Sequence, residues 1–374
     1  MKFDVSSSAL LMRLQSISKV IASKNTLPIL DSILFELEGN NLRLTASDVE
    51  TRLVTSVEVV NTQGNGDFAI SAKLLLESLK KLPEQPLTFD INDDSLEIFI
   101  YFENGKYNFI GQKADTYPQS KPLGESAITI SPSSEVLLNG ISRTLFASAD
   151  DELRPVMNGI YFDIQTDKLT FVASDGHKLV RVSNDTVALD GRAAFILPKK
   201  PANLLKTLLP KTSEPVKIQF DDNNAIVTTE TFEMVCRLIE GRYPNYNSVI
   251  PQDNPNKVTI ERVPFLNALE RVSVFSNPAS SLVKLQLQND LIVVSAQDID
   301  FSTSAEEKIA CQYSGDELSI GFKGTFLIGI LENINADEIV FSLADPSRPG
   351  VVVPVENEEH EDLLMLLMPM VLNY

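Results

Sequence analysis

One pattern is written three times in this chain, and it limits how the chain can be divided. An alternating apolar run ends in Ala46-Ser47-Asp48, again in Ala173-Ser174-Asp175, and again in Ala296-Gln297-Asp298. The aspartates stand at positions 48, 175 and 298, each a domain's length after the last. Two, four and six places before each Asp the residues are apolar: Leu42, Leu44, Ala46; Leu169, Phe171, Ala173; Ile292, Val294, Ala296. A period of two means a strand with one buried face. Farther on, a lysine opens a helical stretch in every third: Lys73, Lys199 and Lys323. A strand, a spacing and a helix in triplicate predict three domains of one architecture, over residues 1–124, 125–250 and 251–374. Each copy is long enough for its own core, and the period is far too long for a solenoid.

Each third begins with an amphipathic helix. The first follows Ser6-Ser7-Ser8, any of which can cap it, and carries Leu10, Leu14, Ile17 and Ile21 on one face. The second places Leu138, Ile141 and Leu145 inward, the third Phe265, Leu269 and Val272. Hairpins then join 33–37 to 42–46, 160–164 to 169–173 and 283–287 to 292–296, with turn residues such as Gly39-Asn40-Asn41 between them. Second helices are predicted over 72–82, 198–209 and 324–334, followed by more alternating strands. Segments 118–126 and 244–256, rich in Pro, Asn and Ser, read as linkers. The fold class is α+β, with helices on one side of antiparallel sheets. The three repeated aspartates are expected to cap their own turns.

A net charge of −19 argues against a nucleic-acid partner until its distribution is considered. Residues 6–21 hold Arg13 and Lys19 and no acid; 71–82 hold Lys73, Lys80 and Lys81 against Glu77; 198–209 hold Lys199, Lys200 and Lys206 unopposed. The other three helical stretches balance. The helices are therefore basic and the remainder more acidic than the total. Two readings fit: one positive surface facing phosphate, or lysine serving as a good surface helix former. No apolar run is long enough to cross a bilayer, and Asp4 and Arg13 interrupt any secretory core. Isolated Cys236 and Cys311 point to a cytoplasmic chain with reduced thiols.

The stretches Thr26-Leu27-Pro28-Ile29-Leu30, Ala173-Ser174-Asp175-Gly176-His177-Lys178-Leu179, Gly241-Arg242-Tyr243-Pro244-Asn245-Tyr246 and Met368-Pro369-Met370 occur in that order over the triplicated domain. Together they closely resemble the bacterial DNA polymerase sliding clamps, the beta subunits of the replicative polymerase. The likeness runs from Met1-Lys2-Phe3 to the last few residues. It implies three clamp domains, with helices lining a ring and antiparallel sheets forming its rim. It also implies a head-to-tail homodimer around duplex DNA, blind to sequence, that confers processivity on a tethered polymerase. The polymerase, an ATP-dependent clamp loader and repair proteins would bind through short linear motifs. No catalysis, cofactor, metal or membrane is implied. The alternative is a peptide-binding scaffold of the same fold that does not encircle DNA.

Residue by residue, the resemblance carries DNA contact to Lys24, Lys73, Lys80, Lys199 and Lys200, with Arg13 as a neighbour and Asp151 where some relatives have a polar residue. It carries a partner-peptide cleft to Arg154, Met157, Ser174, Gly176, His177, Lys178, Leu179, Pro244, Val249, Leu366, Met368, Pro369 and Met370. Methionine suits that role because its unbranched, polarizable side chain adapts to varied partners; a terminal strand completing a core explains the same residues. His177 without a Ser or Cys nucleophile motif reads as a cleft wall rather than an acid–base group. Dimer contacts map to Tyr107, Phe109, Val274 and Phe275, positions equally open to interior packing. Relatives often have a basic residue after Met-Pro-Met; here Val371-Leu372-Asn373-Tyr374 follows. The acidic run Glu356, Glu358, Glu359, Glu361 and Asp362 reads as a solvated hairpin tip in preference to a metal site.

Overall fold

The computed structural model describes residues 1–120 and 122–372. Lys121, inside the first expected linker, and Asn373-Tyr374, the end of the altered tail, lie outside the described residues. The three repeats are present, yet the chain gathers into two compact units, Met1–Ser133 with Thr207–Leu238 and Ser134–Lys206 with Ile239–Tyr374. The middle third is divided because its strands join sheets begun by its neighbours.

In the first unit an eight-stranded sheet runs in the order Ile128–Ile130, Lys217–Phe220, Asn224–Thr228, Glu233–Arg237, Thr51–Glu58, Asn41–Ser47, Ser32–Glu38 and Gly66–Ser71. The joint is the antiparallel pairing of Glu233–Arg237 with Thr51–Glu58, Cys236 opposite Thr51 and Val235 opposite Arg52. A five-stranded sheet orders Val60–Gln63, Lys2–Ser6, Pro86–Ile91, Glu97–Phe102 and Gly105–Ile110. Helices α1 (Ser7–Ile17) and α2 (Ala72–Leu79) pack on each other, and α1 also covers Asn41–Ser47 and Thr51–Glu58.

The second unit repeats the plan. Its eight strands run Ala193–Pro198, Gly159–Ile164, Leu169–Ser174, Lys178–Asn184, Glu361–Leu367, Gly350–Pro354, Glu338–Leu343 and Asn256–Glu261. Here the joint is Lys178–Asn184 against Glu361–Leu367, in register from Lys178 opposite Leu367 to Asn184 opposite Glu361. A four-stranded sheet orders Thr303–Ala310, Leu291–Asp298, Leu282–Gln288 and Leu318–Lys323. Helix α3 (Ser134–Thr144) lies on Leu169–Ser174 and Lys178–Asn184; α4 (Lys199–Leu208) follows Ala193–Pro198; α5 (Arg262–Ser273) packs on α6 (Gly324–Glu332) and on the four-stranded sheet.

The alternating residues that defined the repeat are core in all three copies. Leu42, Leu44, Ala46, Leu169, Phe171, Ala173, Ile292 and Val294 are fully buried, and Ala296 nearly so. Each repeated Asp caps its turn through Oδ1: Asp48 accepts from the backbone N–H of Glu50 and Thr51, Asp175 from His177 and Lys178, Asp298 from Asp300 and Phe301. Gly39, at a hairpin tip, takes φ +58°, a conformation that costs glycine nothing. Ser6 is the cap of α1, its Oγ accepting from Ala9 N–H at 3.1 Å.

The helices differ in detail from expectation. Ile21 lies beyond α1, after a 3₁₀ turn at Ser18–Val20. On α3 the buried face is Leu137, Gly140, Ile141 and Thr144, with Leu138 and Leu145 only half-buried. The helix is rotated because Gly140 has no side chain: a Cβ there would lie 2.4 Å from the Phe171 ring. A close approach of backbone to an aromatic ring sets that face, and hydrophobicity alone does not reveal it.

Candidate functional site

The second unit contains an apolar cavity of about 160 Å³. That is room for one or two side chains, well below a drug-sized ligand. One wall is the turn between Leu169–Ser174 and Lys178–Asn184. Ser174 Oγ donates to Lys178 O at 2.9 Å and accepts from Gly176 N–H at 3.1 Å; Gly176 has φ +89°. The Lys178 ammonium is gripped by the Asp175 carboxylate and lies 4.2 Å above the centre of the Phe326 ring. Met368 closes another side, its N–H donating to His177 O at 2.8 Å; beyond the cavity, Met370 N–H donates to Gly321 O at 2.7 Å.

The floor is a buried cluster of Val172, Leu179, Ile196, Tyr243, Tyr246 and Leu366. Tyr161 stacks on Tyr243 with the rings parallel, 4.7 Å between centroids and 6° between planes. Tyr246 Oη donates to Asp163 Oδ2 at 2.9 Å, and Arg192 Nη2 donates to both oxygens of the same fully buried carboxylate at 3.2 Å. Burial, then the Asp163 charge, pushes the Tyr246 phenol up to about 12. It therefore remains a neutral donor, and the ring is fixed from beneath.

Of the expected cleft residues, Met157, Ser174, Gly176, His177, Lys178, Leu179, Pro244, Val249, Leu366 and Met368 line this cavity. Arg154, Pro369 and Met370 do not. Arg154 is held at the rim, Nε donating to Asp151 Oδ2 at 2.8 Å and Nη2 to Asp175 O at 3.3 Å. The Arg154 hydrogen bond holds the Asp151 carboxyl below its usual range. Tyr243, Asn245 and Tyr246 also line the cavity. Reading from sequence took only Pro244 from their segment; the paired tyrosines flanking it were the available signal.

The acidic run is not simply a solvated tip. Arg143 of α3 donates to Glu358 and Glu361, each at 2.5 Å, and Arg181 donates to Asp362 at 2.5 Å. Burial pushes the Glu361 carboxyl upward against the pull of Arg143. Among the described residues no group of three or more His, Cys, Asp or Glu is arranged to hold a metal ion, and no helix is long and apolar enough to cross a membrane.

The basic residues divide between the units. Lys24, Lys73 and Lys80 are exposed and Arg13 half-buried in the first; Lys199 and Lys200 are half-buried in the second, Lys199 lying 3.8 Å from Asp150. Of the expected dimer residues, Phe109 is already buried within the chain and meets Tyr107 edge-on. Val274 is 79% exposed and Phe275 40%.

Family models match the chain from end to end. The DNA polymerase III beta subunit N-terminal domain matches residues 1–121, the central domain 132–245 and the C-terminal domain 247–370. The chain belongs to the bacterial sliding-clamp family. It is 29% identical to the beta sliding clamp of Pseudomonas aeruginosa over 99% of this chain and 100% of that one. It is 26% identical to that of Bacillus subtilis, over 99% of both. A solved DNA polymerase sliding clamp from Pseudomonas aeruginosa superposes with TM-score 0.93 at 28% identity, and another from that organism, bound to griselimycin, with 0.94 at 28%; both cover 100% of each chain.

In this clamp the cleft turn is expected to depend on pH through Asp175. Burial works to raise the Asp175 carboxyl, but hydrogen bonds from the Lys178 side chain and from the Lys178 and His177 backbones outweigh it and hold the group below its ordinary value. A carboxylate depressed in the folded state stabilises above its unfolded pKa, and that contribution is lost as pH falls through the folded value. The melting-temperature gap between wild type and Asp175→Asn is therefore expected to be widest near neutrality and to shrink below about pH 4. A gap unchanged into that range would show that the charge of Asp175 contributes nothing.

Proposed function

We propose that two copies of this clamp close head to tail into a ring around duplex DNA and tether the polymerase to its template. The observation carrying this reading is how the chain joins its own thirds: twice, an edge strand of one pairs antiparallel with an edge strand of the next. Gly105–Ile110 and Thr303–Ala310 are left as sheet edges of the same kind. Ile110 is 72% exposed, and α5, which packs on Thr303–Ala310, leads directly into exposed Val274 and Phe275. An open edge flanked by apolar side chains invites another chain.

Encirclement needs only weak, sequence-blind contacts to phosphate, the kind Lys24, Lys73, Lys80, Lys199, Lys200 and Arg13 offer, each dispensable singly. Tight contacts would act as a brake. The apolar cleft would take one or two side chains of a linear motif from the polymerase, the ATP-dependent clamp loader or repair proteins, in the cytoplasm. A tethered polymerase meets its template at high effective concentration, which makes it processive without catalysis by the clamp.

The test is topological. Labelled clamp is loaded onto nicked circular plasmid by an ATP-driven loader, washed in high salt, and the DNA then linearised. Retention on circles and release on cutting is the expected result. Loss in the salt wash would mean ordinary electrostatic binding; no retention with an active loader would favour a scaffold that does not encircle DNA.

A further inference from the structure

The scaffold of the apolar cleft recurs in the first unit with different chemistry. Ser47 Oγ donates to Thr51 O at 3.1 Å, as Ser174 Oγ does to Lys178 O. Arg237 N–H donates to Glu50 O at 2.9 Å, as Met368 N–H does to His177 O. Arg52 stands opposite Val235 where Leu179 stands opposite Leu366. Tyr117-Pro118 repeats Tyr243-Pro244, and the two prolines line the two cavities. Arg52 thus occupies the place of Leu179, and Arg237 that of Met368. The cavity they line is about 470 Å³, against about 160 Å³ for the apolar one.

Arg52 is 7% exposed, and its bonds go to neutral acceptors, from Nη1 to Pro118 O at 3.2 Å and from Nη2 to Thr45 Oγ1 at 3.4 Å. Its Nε is buried with no partner among the described residues. A buried cation is costly unless an anion compensates it. The charges of Glu36 and Glu233 act on Arg52 from outside the lining, but burial outweighs them and its hydrogen bonds go to neither; of the two carboxylates that line the cavity, Asp48 Oδ1 is engaged by the N–H groups of Glu50 and Thr51, and Glu50 is exposed on the rim.

We propose that this cavity is a second peptide-binding site, for a partner segment that places an aspartate or glutamate carboxylate on Arg52. A guanidinium recognises a carboxylate through paired charge-assisted hydrogen bonds. Glu50 on the rim favours a basic residue beside the acidic one. The segment enters along the first unit's own turn and strand end, Asp48–Thr51 and Val235–Arg237, the counterparts of those that frame the apolar cleft, so the molecule offers one site for apolar anchors and another for an acidic anchor.

The test follows the Arg52 Nε–Hε resonance and the Met157 and Met368 methyl resonances of the intact protein by NMR. The probe is blocked Asp-Lys dipeptide, with blocked Asn-Lys and inorganic phosphate as comparisons. A saturable shift at Arg52, weaker by about tenfold or more for Asn-Lys and for phosphate, with the methionines unmoved, is expected. Arg52→Gln should abolish binding measured calorimetrically and Arg52→Lys retain part of it; should Arg52→Gln fail to fold, the wild-type titration still decides. No shift at millimolar probe, equal response to Asn-Lys, or phosphate binding as well as the peptide would each overturn the proposal.

Discussion

Gly140→Ala is expected to destabilise the unit that carries the apolar cleft by about 3 kcal/mol, the upper part of the range for overpacking a core. The added Cβ would sit 2.4 Å from two carbons of the Phe171 ring, closer than any side chain tolerates. Phe171 cannot retreat, because it is fully buried and packed edge-on against Phe162 at 4.8 Å. The helix must therefore lift from Leu169–Ser174 and Lys178–Asn184, the strands whose connecting turn forms the cleft wall. Gly329→Ala in α6 is the internal comparison: its Cβ would meet Phe146 at an ordinary 3.6 Å. Helix propensity then predicts a gain of up to about 1 kcal/mol. Denaturant midpoints of the two variants read both effects, and similar midpoints would mean that α3 is not seated on Phe171.

Met368→Asp is expected to weaken binding of a linear peptide with paired apolar side chains by about a hundredfold while leaving the fold intact. Met368 lines the cleft yet remains 37% exposed, and its tie to His177 runs through the backbone, which the substitution keeps. The new carboxylate must lose water whenever an apolar side chain enters, a cost of about 2–3 kcal/mol. Met368→Leu conserves volume and should bind within a few fold of wild type. Fluorescence anisotropy with a labelled peptide measures all three proteins. Unchanged affinity in Met368→Asp would remove the tail from the cleft.

What the sequence made legible follows from where periodicity operates. The hairpins and their buried residues were readable because a half-buried strand must alternate, and the three aspartates because a short side chain after a strand has a turn to cap. The rotation of α3 was not readable, since Gly140 contributes by what it lacks. Within the cleft, residues from the strand–turn segment 174–179 were recovered through the family resemblance, whereas Tyr243 and Tyr246 lie in an irregular segment where no period distinguishes a buried ring from an exposed one. Arg154 stands at the rim, paired with Asp151 three residues before it, and the backbone of Met370 is tied to Gly321, a residue far away in the chain. The acidic run looked solvated because Arg143 and Arg181, which pair with it, are far away in the chain.

The continuation of each eight-stranded sheet from one third into the next has a consequence for how such a chain can change. To a sequence comparison the thirds look like interchangeable modules. Excising the middle one, however, would strip Thr51–Glu58 and Glu361–Leu367 of one partner each and leave two raw edges carrying unmet backbone donors and acceptors. A one-residue slip at either seam would also turn every side chain of the strand to the opposite face. The thirds can diverge in their surfaces, but their seams must be inherited together, so the repetition records a common origin and no longer provides transplantable parts.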